Sequence, residues 1–200
     1  MFEYDMTLTG TAISDTRQIA HGLRQGDVIF LQALVEQYQY RLVRYLIYLL
    51  GRRDEVDDLL QETWLRVLER GSSYDGRSRF EPWLFTVARN LAFDRMRKRR
   101  EISLDSNDDT EQNAVDLSPV SDAPSPFALA ARTEDAQRIA HALQSLPPIF
   151  REALVLRFQE DLSLQEMAAV MGAPVTTVAS RIYRALATLR EQFDGENHEN

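Results

Sequence analysis

The sequence contains no cysteine, only one lysine and no long apolar run, and each absence narrows the kind of protein it encodes. Without cysteine there is no disulfide framework and no thiolate metal site. Without about 18 consecutive apolar residues, no segment is suited to span a membrane. The first residues, MFEYDMTLTG, lack the basic and apolar layout of a secretion signal. We therefore expect a cytoplasmic protein without membrane insertion.

Strand signals are also scarce, because few runs alternate Val, Ile and Thr with polar residues. Helical periodicity instead predicts helices over 15–24, 27–50, 54–70, 81–100, 132–144, 148–158, 163–171 and 175–193. Between the two sets, the segment 101–131 has seven acidic residues, no basic residue and many Ser, Asn and Pro, which indicates a flexible linker. The predicted fold is all-α, with two small helical domains at 1–100 and 132–200 joined by this acidic linker.

The net charge of −8 comes largely from the predicted linker, and the stretch just before it is strongly basic. Residues 89–100, RNLAFDRMRKRR, hold six basic residues and one acidic residue. On a helical wheel Leu84, Val87, Ala88 and Leu91 point inward, and another face carries Arg89, Asn90, Phe93, Arg97 and Arg100. Arginine contacts phosphates, asparagine can read a base edge, and phenylalanine offers a stacking plane for an unpaired base. The face indicates nucleic-acid binding, and a merely solvated basic helix end is the alternative.

The preceding helix, DEVDDLLQETWLRVLER, has the opposite character. Its predicted buried stripe is Val56, Leu60, Thr63 and Val67, and another face carries Asp54, Asp58, Gln61, Glu62, Leu65 and Glu69. Phosphates would repel such a face, and an apolar residue among carboxylates favours a basic protein partner. A solvated acidic face is one alternative. A divalent-metal site formed by Asp54, Asp58 and Glu62 is another alternative. These carboxylates would be spread along about 12 Å of helix, which is too long for one ion, so we predict no metal.

The segment LSLQEMAAVMGAPVTTVASRIYRALATLREQF has the pattern of a helix-turn-helix. Ser163 and Glu166 form a capping-box pattern, Gly172 is a helix stop, and Pro174 begins the next helix. The second helix is predicted to bury Val178, Ile182, Ala185, Leu186 and Leu189 and to expose Thr177, Ser180, Arg181, Arg184 and Thr188. Hydroxyls and arginines on one face suit the major groove, and a plain helical hairpin is the alternative.

These three motifs, in this order, resemble the core motifs of extracytoplasmic-function sigma factors, the small two-domain members of the bacterial sigma-70 superfamily. The resemblance covers roughly residues 15–100 and 132–192. It implies a protein that joins core RNA polymerase, directs it to promoters and helps open the DNA. It also implies an anti-sigma factor that holds the protein in check, and no cofactor.

The resemblance assigns a role to each face. The helix with Asp54, Asp58, Gln61, Glu62 and Leu65 would bind the clamp coiled coil of the polymerase β′ subunit. The loop GSSYDGRSR and the basic helix would capture the −10 element and a flipped base through Arg77, Ser78, Arg89, Asn90, Phe93, Arg97 and Arg100. The recognition helix would read the −35 element through Thr176, Thr177, Ser180, Arg181 and Arg184, and its domain would meet the β flap.

The sequence departs from the family at Ala179, where a basic residue is usual, so −35 binding would depend on Arg181 and Arg184. Two other classes of protein stay open on the residues alone. One is a stand-alone repressor or activator that uses the helix-turn-helix without polymerase. The other is an enzyme such as a nuclease, although His21, His141 and His198 have no partner spacing and no phosphate-binding glycine loop is present.

Overall fold

A computed structural model describes residues 13–105 and 134–196, and every regular element within these ranges is helical. The first range contains α1 (Thr16–Gln25), α2 (Val28–Leu50), α3 (Val56–Arg70), a 3-10 turn (Gly71–Ser73) and α4 (Phe80–Asp105). The second contains α5 (Glu134–Ser145), α6 (Pro148–Leu154), a π-helical turn (Val155–Gln159), α7 (Leu164–Met171) and α8 (Val175–Glu196). The predicted all-α class is confirmed. Most of the predicted linker lies outside the described residues, although α4 continues past its predicted end at residue 100.

Local capping explains where the long helices begin and end. The Asp27 carboxylate accepts hydrogen bonds from the backbone N–H groups of Ile29 and Phe30, which satisfies two donors in the first turn of α2. Asp15 caps α1 in the same way. Gly51 ends α2 in the left-handed conformation with φ of 70°, which a residue without Cβ adopts at no steric cost.

The core of the first domain is built from α2, α3 and α4. Leu34, Leu42 and Tyr45 of α2 are fully buried in the same cluster as Leu84 and Phe85 of α4. The Tyr45 and Phe85 rings lie 5.0 Å apart between centroids, in a tilted arrangement typical of buried aromatic pairs. This packing fixes the orientation of α4, so the direction in which its remaining faces point is fixed relative to the core.

The structure differs from the predicted burial at several positions. On α3, Leu59 is buried although it was not predicted to be, and Leu60 packs against the core but is only half-buried. On α4, Val87 and Leu91 are also only half-buried. On α8 the predicted core residue Leu186 is 44% exposed, because Val178 and Ala185 already fill the contact with the rest of the domain.

The helix-turn-helix of the second domain is formed by α7 and α8. The Ser163 side chain accepts a hydrogen bond from the Glu166 backbone N–H, and the Glu166 carboxylate accepts one from the Ser163 backbone N–H. Gly172 ends α7 with φ of 57°, and α8 begins three residues later. The predicted capping box and glycine stop are therefore confirmed.

The two domains pack against each other along an interdomain seam, in which α4 lies along α7 and α2 contacts α6. Polar groups are buried in this seam. The fully buried Glu160 carboxylate accepts from Arg41 Nε at 2.8 Å and lies 3.4 Å from Arg44 Nη2. Arg151 Nη1 donates to the Tyr48 carbonyl at 2.9 Å, and burial lowers the pKa of Arg151 to about 10. The seam is therefore specific rather than a loose apolar contact.

Candidate nucleic-acid and protein interfaces

The acidic face of α3 lies on the molecular surface. Asp58 and Gln61 are exposed, and Leu65 keeps 59% of its surface open to solvent between them. Asp54 is exposed in the turn before the helix, where it pairs with Arg52. The arrangement is a single apolar contact point surrounded by hydrogen-bond acceptors, which suits a protein partner that brings basic residues.

Part of this face is balanced by the basic end of α4. The half-exposed Glu62 lies 3.7 Å from Arg95 and 3.8 Å from Arg66. Glu55 is approached by Arg95 at 4.0 Å and by Arg99 at 3.9 Å. Asp58 has no cation within 4 Å among the described residues. The negative potential of α3 is therefore strongest around Asp58 and weaker around Glu62.

The predicted nucleic-acid face of α4 is divided in two by the seam. Asn90, Arg97 and Arg100 are exposed, and Arg97 pairs with Asp94 one turn earlier at 3.0 Å. Arg89 and Phe93 are half-buried and stack on each other, with the guanidinium carbon 4.3 Å from the ring centroid. In this arrangement Asn90, Arg97 and Arg100 are open to solvent, whereas Arg89 contacts the second domain at Glu152 and Phe93 stacks against Arg89.

The loop between α3 and α4 presents Arg77 and Ser78 to solvent. Tyr74 OH donates to the Ser78 carbonyl at 2.6 Å, and Thr16 Oγ1 donates to the Gly76 carbonyl at 2.7 Å. These bonds anchor the loop to the core and to α1. Arg77 is therefore exposed on a loop whose backbone is held in place.

The recognition helix α8 exposes most of its predicted DNA-contacting residues. Thr176, Ser180 and Arg184 are exposed, whereas Thr177 is half-buried. The sequence analysis missed Tyr183, which is 76% exposed between Ser180 and Arg184. Its outward position could have been read from the same helical wheel, because it lies about 100° from Arg184 and 60° from Ser180 on an ideal helix.

One buried carboxylate connects the two predicted DNA-binding surfaces. Glu152 is 1% exposed and accepts hydrogen bonds from Arg89 Nε at 2.7 Å and Tyr45 OH at 3.0 Å. Burial raises the pKa of Glu152, while the charges of Arg89 and Arg181 act to lower it. Arg181 is half-buried, and its Nη1 atom is buried without a hydrogen-bond partner in the part of the chain that the structure describes. Two of the predicted DNA-contacting arginines, Arg89 and Arg181, thus lie near Glu152 in the seam.

Other kinds of site find little support within 13–105 and 134–196. No group of three or more His, Asp or Glu side chains there is placed to hold a metal ion. The same described residues contain no helix that combines the length and the apolarity needed to cross a bilayer.

Comparison with known proteins identifies two family regions in the chain. Residues 34–102 match the sigma-70 region 2 family, and residues 136–189 match the sigma-70 region 4 family. The chain is 30% identical to the ECF RNA polymerase sigma factor SigW of Bacillus subtilis over 86% of its own length and 92% of that protein. It is 31% identical to the RNA polymerase sigma-H factor of Pseudomonas aeruginosa, over 89% and 91% of the two chains.

Among solved structures, the chain is similar to the sigma factor RpoE of Bartonella quintana, which was crystallised with the anti-sigma factor NepR. The TM-score is 0.61 at 28% identity, covering 86% of this chain and 96% of that one. The helical order, the helix-turn-helix and the matched regions agree with one another. The chain therefore belongs to the extracytoplasmic-function group of sigma-70 RNA polymerase sigma factors.

Proposed function

We propose that this protein joins core RNA polymerase, directs it to promoters and helps separate the DNA strands, acting as an initiation factor without catalytic residues or cofactor. The observation that carries the proposal is the sorting of charge between exposed faces. The α3 face around Asp58 is negative, whereas the α4 face around Arg97 and the outer face of α8 are positive or neutral. An acidic face is repelled by DNA and suits a protein, and the basic faces suit DNA.

The α3 face is the proposed contact with the clamp coiled coil of the polymerase β′ subunit. Leu65 supplies an exposed apolar group, and Asp58 supplies a carboxylate that is free to pair with a basic partner. The full contact set is Asp54, Asp58, Gln61, Glu62 and Leu65. The second domain would meet the β flap.

The proposed promoter contacts lie on three elements. The loop and α4 would hold the −10 element through Arg77, Ser78, Arg89, Asn90, Phe93, Arg97 and Arg100. The recognition helix would hold the −35 element through Thr176, Thr177, Ser180, Arg181 and Arg184. Arg89 and Arg181 can reach DNA only when the seam separates, because both are half-buried beside Glu152. An anti-sigma factor is a further proposed partner, by analogy with the RpoE complex.

The test is promoter-dependent transcription with purified core enzyme, together with a measurement of core binding. Asp58→Arg should weaken core binding at least tenfold and abolish promoter-dependent transcript, because it places a cation against the basic partner surface. Asp57→Arg is the matched control, since it makes the same charge change on the same helix about 100° away from Asp58. Both side chains are exposed, so neither change should disturb the fold.

Two results would count against the proposal. Equal core binding by wild type and by Asp58→Arg would show that the α3 face is not the contact with core polymerase. Tight sequence-specific binding of duplex DNA by the free protein, with no promoter-dependent transcript in the presence of core enzyme, would instead indicate a stand-alone repressor or activator.

A further inference from the structure

An open cavity of about 650 Å³ lies between α1 and the loop before α4, and it extends the proposed −10 surface onto α1. Arg17, His21 and Arg24 line it from α1, and Arg77 lines it from the loop. The three α1 residues are spaced i, i+4 and i+7, so they form one stripe along the helix. The cavity is therefore bordered by cationic groups from two separate elements.

Most of this positive charge has no acidic counterpart among the residues that the structure describes. Asp75 is the one acidic residue of the lining, and it already serves Arg77 through a backbone hydrogen bond of 2.9 Å and a side-chain contact of 3.7 Å. Arg17 and Arg24 are exposed, and neither has a carboxylate within 4 Å in the described ranges 13–105 and 134–196. The cavity thus offers guanidinium donors to an anion from outside.

The walls of the cavity are held in place before any ligand binds. Thr16 Oγ1 donates to the Gly76 carbonyl at 2.7 Å, which fastens the loop to the start of α1. Gly76 has φ of 71°, and a Cβ at this position would lie 2.8 Å from the Thr16 carbonyl oxygen. Only glycine permits this close approach, so the loop and the arginine stripe keep a constant separation.

We propose that this cavity binds the phosphodiester backbone of an unpaired DNA strand, and that Arg17 and Arg24 each contact one phosphate. Guanidinium groups match phosphate geometry, and the lining has no Phe, Tyr or Trp side chain, so it is better suited to the backbone than to stacked bases. Arg77 belongs both to the cavity and to the loop assigned to the −10 element, so a strand held by the loop passes this stripe. The inference rests on the proposed function and adds α1 to its DNA-binding surface.

The experiment measures binding of reconstituted holoenzyme to a fluorescent promoter fragment that is already unpaired at the −10 element and lacks a −35 element. Affinity is measured over a series of salt concentrations for wild type and for Arg17→Ala/Arg24→Ala. A lost phosphate contact on a single strand flattens the slope of log affinity against log salt by about 0.7, so the double variant should lose about 1.4. If the wild-type and variant holoenzymes bind the fragment equally near 1 M salt, the wild type should bind about 25-fold more tightly at 0.1 M.

The matched control is Arg138→Ala/Arg190→Ala, which removes the same charge from exposed positions in the second domain and should leave the slope unchanged. A fragment with abasic sites in the unpaired strand should show the same difference between variant and wild type, because the backbone is intact. The inference is overturned if the slope of Arg17→Ala/Arg24→Ala equals that of wild type, or if the difference vanishes with abasic sites. Failure of wild-type holoenzyme to bind the open fragment would instead overturn the proposed function.

Discussion

Glu160 offers the most direct test of the seam, because it lies in the second domain and its partners lie in the first. Its carboxylate is fully buried and contacts Arg41 at 2.8 Å and Arg44 at 3.4 Å. Glu160→Gln keeps the shape of the side chain and removes its charge. As long as the domains remain together, Arg44 would then stay partly buried without the carboxylate that it contacts, and Arg41 would keep only its pair with Glu81 at 3.4 Å.

The expected loss in the free energy that holds the two domains together follows from the burial of Glu160, Arg41 and Arg44. Removing one partner of a buried ion pair typically costs about 3–5 kcal/mol. The Arg41 and Arg44 side chains are 28% and 21% exposed, so water screens them in part and the lower end of that range applies. A cost of about 3 kcal/mol changes the ratio of closed to separated protein by roughly 100-fold.

Domain separation can be followed by energy transfer between two dyes, since the natural chain has no cysteine to compete for labelling. Gln39→Cys on α2 and Glu191→Cys on α8 are suitable positions, because both residues are exposed. With an m-value of about 1–3 kcal/mol per molar urea, the loss of energy transfer should begin at least about 1 M earlier in Glu160→Gln. Glu36→Gln, at an exposed position on α2, is the control.

An unchanged urea midpoint in Glu160→Gln would refute the argument that this ion pair holds the seam. A second check uses Arg41→Met, since the effect of Glu160→Gln should be smaller in that background if the two groups interact. Full additivity of the two changes would show that Glu160 acts through something other than this arginine.

Three further predictions concern the pH response and the stability of individual elements. Burial raises the pKa of Glu152 above the ordinary 4.5, so protonation of Glu152 stabilises the closed seam. This stabilisation is complete below pH 4.5 and is lost as pH rises through the raised pKa. Seam stability measured against pH should show this loss in wild type and not in Glu152→Gln. Ser163→Ala removes one half of the capping box with Glu166 and should cost about 1 kcal/mol, seen as a fall of about 2–4 °C in thermal midpoint. Gly22→Ala places a Cβ 2.3 Å from the buried Phe30 ring, so overpacking of about 1–3 kcal/mol should outweigh the gain of about 1 kcal/mol in helix propensity, and a higher melting temperature would contradict this.

Most of the local structure was predictable because its causes are local. The capping box at Ser163 and the stop at Gly172 depend on residues only a few positions apart, so the sequence carried the full signal. The outward positions of Asp58, Leu65 and Arg97 follow from helical periodicity in the same way. These residues lie on the faces that we propose bind polymerase and DNA. The family resemblance predicted from the motifs is confirmed by the matched regions.

The sequence by itself determined the order of the helices, the ends that have a local cap, and the separation of negative and positive faces, since each depends on residues within one helix. Tertiary structure alone decided which neighbour covers each face. Arg89 meets Glu152 from 63 residues away, and Thr16 at the start of α1 donates to the Gly76 carbonyl of the loop across 60 residues. A helical period shows which side chains share a face, but it carries no information on what that face contacts, because that depends on how distant helices pack to bury their apolar stripes.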